Sequence, residues 1–164
     1  EPAEPGVMTH KPRGRKSNFF DGGVFGAIIY QGLLQTALVI GIYGWALMFP
    51  EHSNNQMVHE DALTMTFATL GLIQLLHAFN VKSVYQSIFK VKPFSNRTFN
   101  WAIPVAFLIL MVTIVMPGFN QLFHVSHLDA TQWLAVIIAS LLIVVLVEIV
   151  KAIQRALGQD KKAI

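Results

Sequence analysis

The sequence predicts an all-α integral membrane bundle, four transmembrane helices joined by short loops. Three observations carry that prediction. Of the 164 residues, 54% are hydrophobic and only 13% charged, whereas a soluble domain carries about a quarter charged residues. The apolar residues come in blocks long enough to cross a hydrocarbon core, which takes about 20 residues. All twelve Lys and Arg are confined to the leading segment, one middle loop and the tail. Such hydrophobicity excludes a disordered tail and makes the core one shared with lipid.

The leading segment, residues 1–18, is rich in Pro and Gly and has no apolar period, so it reads as a cytoplasmic loop or linker. Residues 19–164 form the expected transmembrane domain. Its first helix is expected near 24–48, inside a stretch from Gly22 to Pro50 without any charge. Phe49 to Asp61 is polar turn material. The second helix is expected near 61–81, interrupted in its apolar run only by His77. Lys82 to Arg97 then carries four basic residues and the breakers Pro93 and Ser95-Asn96. The third helix is expected near 98–117, with Pro104 and Pro117 positioned to kink or end it. The fourth is expected near 130–154. Asp129-Ala-Thr-Gln132 opens it as a capping box, the aspartate accepting from first-turn amides while the glutamine reaches back. A short basic tail follows, suited to snorkelling and headgroup contact.

The partition of positive charge sets the orientation. The loop before the second helix and the loop before the fourth contain no Lys or Arg. By the positive-inside rule both termini and the middle loop are cytoplasmic, which makes this a multi-pass protein of the cell membrane with the lipid bilayer as a partner. Net charge is only +3, dispersed among loops, with no aromatic-studded basic strand beside it. Nucleic acid is therefore not an expected partner. The absence of cysteine removes disulfides and thiolate metal sites. The chain opens on Glu1 without a charged-then-apolar leader, and reads as a piece of a longer one.

Polar side chains at bilayer depth need a reason. In the second helix Thr66, Thr69, Gln74, His77 and Asn80 share an arc of roughly 140° at 100° per residue. Interhelical hydrogen bonding, about 0.6 kcal/mol per bond, and an ion or proton path both fit that stripe. Gln74, His77 and Asn80 are the ion-cavity candidates. Gln74 lies roughly 18 Å from the helix start at 1.5 Å per residue, near the midplane where transporters place coupling ions. Its amide offers an oxygen without charge. Ca²⁺ takes about six to eight oxygens, usually several from carboxylates, and no acidic residue shares that depth.

Glu148 is the one carboxylate within an apolar helix, with Lys151 at i+3 and Arg155 at i+7. Glu148 and Lys151 read as a structural ion pair at the membrane boundary. His124-x-x-His127 with Asp129, and His59-Glu60-Asp61, have metal-binding residue types in exposed loops, too weak a pattern to assign a metal. Gly26, Gly41 and Gly44 share a face of the first helix and are expected to admit a close neighbour. Neither a phosphorylation motif, a phosphate-binding glycine loop nor a nucleophile elbow occurs, so neither catalytic residues nor cofactors are expected in this chain.

The run of these residues resembles the C-terminal transmembrane region of P-type cation-transporting ATPases, calcium-type and bacterial. Glu1-Pro-Ala-Glu-Pro-Gly-Val-Met8 with Lys11-Pro12-Arg13 is similar to the loop before that family's seventh helix. Gln74-Leu-Leu-His-Ala-Phe-Asn80 and Ser95-Asn96-Arg97 resemble the eighth helix and the loop after it. Leu128-Asp-Ala-Thr-Gln-Trp133 and Val147-Glu-Ile-Val-Lys151 resemble the start and end of the tenth. The resemblance implies the last four helices of a ten-helix pump that phosphorylates an upstream Asp, uses ATP and Mg²⁺, and transports Ca²⁺ or another cation. The partners implied are the upstream helices and cytoplasmic domains of the same pump. In two-calcium members the eighth helix supplies a Glu where this chain has Gln74, which implies one ion per cycle or a different cation. The alternative is a self-contained four-helix membrane protein acting as a regulatory or assembly subunit.

Overall fold

The computed structural model describes residues 23–49, 58–90 and 94–158. The leading linker, the first loop's middle and the end of the tail lie outside them. Within the described residues the chain is helical: α1 (Val24–Met48), α2 (Val58–Asn80), α3 (Arg97–Val115), the single turn α4 (Phe119–Leu122) and α5 (Ala130–Ala156). α1, α2, α3 and α5 are each long and apolar enough to cross a membrane.

Local chemistry explains where the helices start and stop. α2 begins three residues before the expected Asp61, because Glu60 and Asp61 sit in its first turn, where carboxylates favour the positive end of the helix dipole. Asn96 caps α3 by accepting from the Phe99 N–H at 3.1 Å. α3 ends at Val115, short of the expected 117. Pro117 disfavours helical geometry in its predecessor, and Met116 is extended, with ψ at 124°. The turn α4 was not visible in the apolar pattern. The capping box is present in full: Gln132 N–H donates to Asp129 Oδ1 at 2.7 Å, and Asp129 N–H donates to Gln132 Oε1 at 2.8 Å. α5 runs past the expected 154 to Ala156 and stops before Gly158, whose φ of 68° is the left-handed geometry that ends helices.

α2 is the centre of the bundle, packed on α1, α3 and α5. Nine of its residues are buried, against Ile114 alone in α3. Two packing layers result. Near the lysine-free end, Ile42 and Ala46 of α1 meet Ala62, Met65 and Ala68 of α2, Ile114 of α3 and Val136 of α5. Towards the basic end Ile73 packs with Ile143 and Val147, without any contribution from α3. α3 stands off from that layer, leaving an apolar crevice of about 430 Å³ whose walls include Phe79, Pro104, Phe107 and Leu141.

The surface is the reverse of a soluble protein's. Leu33, Ile40 and Ile109 are each over 60% exposed, a patchwork that water would penalise and lipid accepts. Hydroxyls at this depth bond back into their own helices, Thr36 to the Gly32 carbonyl, Thr113 to Ile109 and Ser140 to Val136, so they can stand in a dry environment. The glycine face of α1 does not act as expected within this chain. A Cβ on Gly26 or Gly41 would meet nothing within 4 Å, and one on Gly44 only Met48 of its own helix. The close helix approach falls at Gly71 instead, where an added Cβ would stand 2.8 Å from both Leu110 methyls.

Candidate functional site

Periodicity places the polar stripe of α2 on one side of that helix, and tertiary packing then divides it. Thr69, His77 and Asn80 are buried. Thr69 Oγ1, His77 Nδ1 and both amide atoms of Asn80 have no hydrogen-bond partner among the described residues. Thr66 is spent on its own helix, donating to the Ala62 carbonyl at 2.7 Å. Gln74 lies roughly 60° around the helix from His77 at 100° per residue, far enough to reach the exposed strip that Leu63, Phe67 and Leu70 also occupy. There its Nε2 donates to Gln35 Oε1 of α1 at 3.0 Å. One turn earlier on α1, buried Gln31 donates to the Tyr30 hydroxyl at 2.9 Å. The three cavity candidates thus do not converge on one point: Gln74 looks out between α1 and α2, while His77 and Asn80 look into the bundle.

The basic end holds an arrangement that sequence reasoning missed. Lys151 is fully buried, and its ammonium turns inward instead of reaching for solvent. It donates to the Asn80 carbonyl at 2.7 Å and to the Gln86 carbonyl at 3.3 Å. Glu148 Oε1 accepts from the Ile88 N–H at 3.0 Å, and Arg155 donates to the Tyr85 carbonyl at 2.6 Å. One face of α5 thereby grips the backbone of the α2–α3 connection, satisfying groups that a helix end and an irregular loop would otherwise leave unpaired. The i, i+3, i+7 spacing of Glu148, Lys151 and Arg155 was a visible signal of a shared face. What lay opposite that face was not in the sequence.

At the lysine-free end two histidines have polar partners. His59 Nδ1 meets the Tyr43 hydroxyl at 3.1 Å, and His127 Nε2 meets Asn120 Nδ2 at 3.1 Å. Asp129 is the helix cap. Asp61 accepts from Gln132 Nε2 at 3.2 Å, and Ser126 donates to Thr64 Oγ1 through both its N–H and its hydroxyl. Among the described residues no three His, Cys, Asp or Glu side chains gather as a metal site would require. The chemistry on offer is therefore a neutral polar lining within the membrane and a clamp at one end.

A family profile described as the C-terminus of cation-transporting ATPases matches residues 1–153. The chain belongs to that family. It is 30% identical over 92% of its length to calcium-transporting ATPase 1 of Bacillus cereus, and 32% identical over 94% to a calcium-transporting ATPase of Listeria monocytogenes. Calcium-transporting ATPase 1 of Saccharomyces cerevisiae is 26% identical over 85% of the chain. The chain spans only 18% and 17% of the two bacterial relatives. As a member of this family with four helices long and apolar enough to cross a membrane, it is a multi-pass membrane protein.

Proposed function

We propose that this chain forms the last four transmembrane helices of an ATP-driven calcium pump of the cell membrane, with both termini cytoplasmic, and that Gln74 lines its ion cavity. The partners in this reading are the upstream helices and cytoplasmic domains of the same pump, which would use ATP and Mg²⁺. The observation that carries the Gln74 role is its position: a polar pair, Gln74 with Gln35 of α1, at the exposed strip of the bundle's central helix. An amide facing lipid is unfavourable, so this strip calls for a polar cover, and ligand-bearing upstream helices supply one. A neutral amide contributes an oxygen but no charge, which suits one Ca²⁺ per cycle more than a second carboxylate-rich site. The rest of the bundle serves as the scaffold against which moving helices work. Glu148 and Lys151, bonded to the backbone of the α2–α3 connection, belong to that scaffold, and His77 and Asn80 contribute to the polarity behind Gln74.

The test uses the full-length parent. Gln74→Leu keeps the approximate volume and removes the amide, and is expected to weaken apparent Ca²⁺ affinity with expression retained. Gln74→Glu adds a carboxylate oxygen and a charge beside the upstream ligands and is expected to shift that affinity as well. Ile109→Gln, on the exposed face of α3, is the control and should affect folding alone. Unaltered ion affinity and transport in both Gln74 variants would make the residue packing only.

A further inference from the structure

The connection between α2 and α3 has its polarity inside out. The Asn80, Tyr85 and Gln86 carbonyls and the Ile88 N–H bond to Lys151, Arg155 and Glu148 of α5, and the Gln86 N–H donates to Ser83 Oγ at 3.1 Å. Two of the connection's phenylalanines are left outside. Phe89 is 82% exposed and Phe94 73%, with Trp101 at 67% just beyond on α3. An aqueous loop buries aromatics and hydrates its backbone; this one does the opposite, as a segment lying against lipid must. Residues 81–101 hold Lys82, Lys90, Lys92 and Arg97 and not one acidic residue. Lys90 and Arg97 are exposed, and Lys82 sits with its ammonium 4.3 Å from the Phe99 ring centre. Phe99 packs edge-on against Phe79 at 4.9 Å, which ties the platform to α2.

We propose that this connection is an interfacial platform selective for anionic phospholipid headgroups, with Phe89 and Phe94 set at the acyl boundary and Lys90 and Arg97 at the phosphates. Charge complementarity picks the partner. Aromatic rings and cations side by side, with no acidic residue in 81–101, match the headgroup layer of a negatively charged leaflet, and water alone gives no reason for exposed phenylalanines. The clamp of α5 supplies pre-organisation, since fixing the loop beforehand removes an ordering cost from lipid binding. The platform lies at the end of α2, away from Gln74, and its test does not depend on the ion-cavity reading.

The experiment places an apolar fluorophore at Phe89→Cys, in the full-length parent otherwise free of accessible thiols. A second reporter at Phe94→Cys covers the case in which the first disturbs folding, and ATP hydrolysis certifies the fold of each. Vesicles contain equal parts phosphatidylcholine and phosphatidylglycerol, with bromine quenchers on the chains of one lipid or the other. Quenching is expected from both lipids and more strongly from phosphatidylglycerol. Lys90→Gln and Arg97→Gln should each reduce that preference about fivefold while quenching itself persists. Equal quenching by the two lipids would overturn the selectivity. An unquenched label on an active pump, whether shielded by another part of the protein or standing in water, would overturn the platform altogether.

Discussion

Lys151→Met removes the buried ammonium while keeping most of the side-chain volume, and is expected to destabilise the bundle by about 2 kcal/mol. The figure follows from the contacts. The bond to the Asn80 carbonyl is short, 2.7 Å, and charge-assisted, whereas that to Gln86 is long, 3.3 Å. Hydrogen bonds to charged groups contribute about 1.5–3 kcal/mol each, and a carbonyl left unpaired adds about 1–3 kcal/mol. Against these stands the relief of no longer burying a charge, several kcal/mol after relaxation, which brings the net loss down to the stated size. For a unit of this length each kcal/mol moves a thermal midpoint by roughly 2–4 °C. A fall of about 4–8 °C is therefore expected in detergent micelles, followed by far-ultraviolet circular dichroism. Glu148→Gln preserves an oxygen able to accept the Ile88 N–H and should cost under about 1 kcal/mol. A Lys151→Met variant as stable as the parent, or a Glu148→Gln variant equally damaged, would refute the view that α5 holds the connection through these bonds.

At the α2–α3 approach, Gly71→Ala sets a methyl against the flexible Leu110 side-chain end, and after a helix-propensity gain of about 1 kcal/mol the overpacking should leave a net cost of at most about 1 kcal/mol. The double variant with Leu110→Ala should recover part of it, and a double-mutant cycle showing strict additivity would contradict the contact. Topology is checked by cysteine labelling at two exposed positions: Lys90→Cys should react from the cytoplasmic side only and Gln121→Cys from the opposite side only, and reaction of both from one side would refute the orientation.

Much of the architecture was legible because the bilayer is so restrictive a solvent. Within the hydrocarbon layer the backbone must bond to itself, so long uncharged stretches can only be helices. Local rules then placed two of their ends: the capping box at Asp129 and the break at Pro117 depend on a few neighbouring residues. The family resemblance was legible for the same reason, as a series of loop and helix-end motifs in order.

What periodicity could not decide was which neighbour each face meets. The arc holding Gln74, His77 and Asn80 is a property of one helix, yet α1 and α5 divide it, leaving Gln74 outward and burying the other two. The glycines of α1 look like a packing face in sequence, while the contact that needs a missing side chain is made at Gly71. Glu148 and Lys151 share a face of α5, but only the return of the α2–α3 connection across that face turns them into a clamp on backbone groups 60 to 71 residues away in the chain. Helix, cap and span are set by interactions within a few residues, which the order of amino acids states directly. Partners across helices are set by which surfaces fit and which buried polar groups can be satisfied, and those are resolved only when all the helices are packed together.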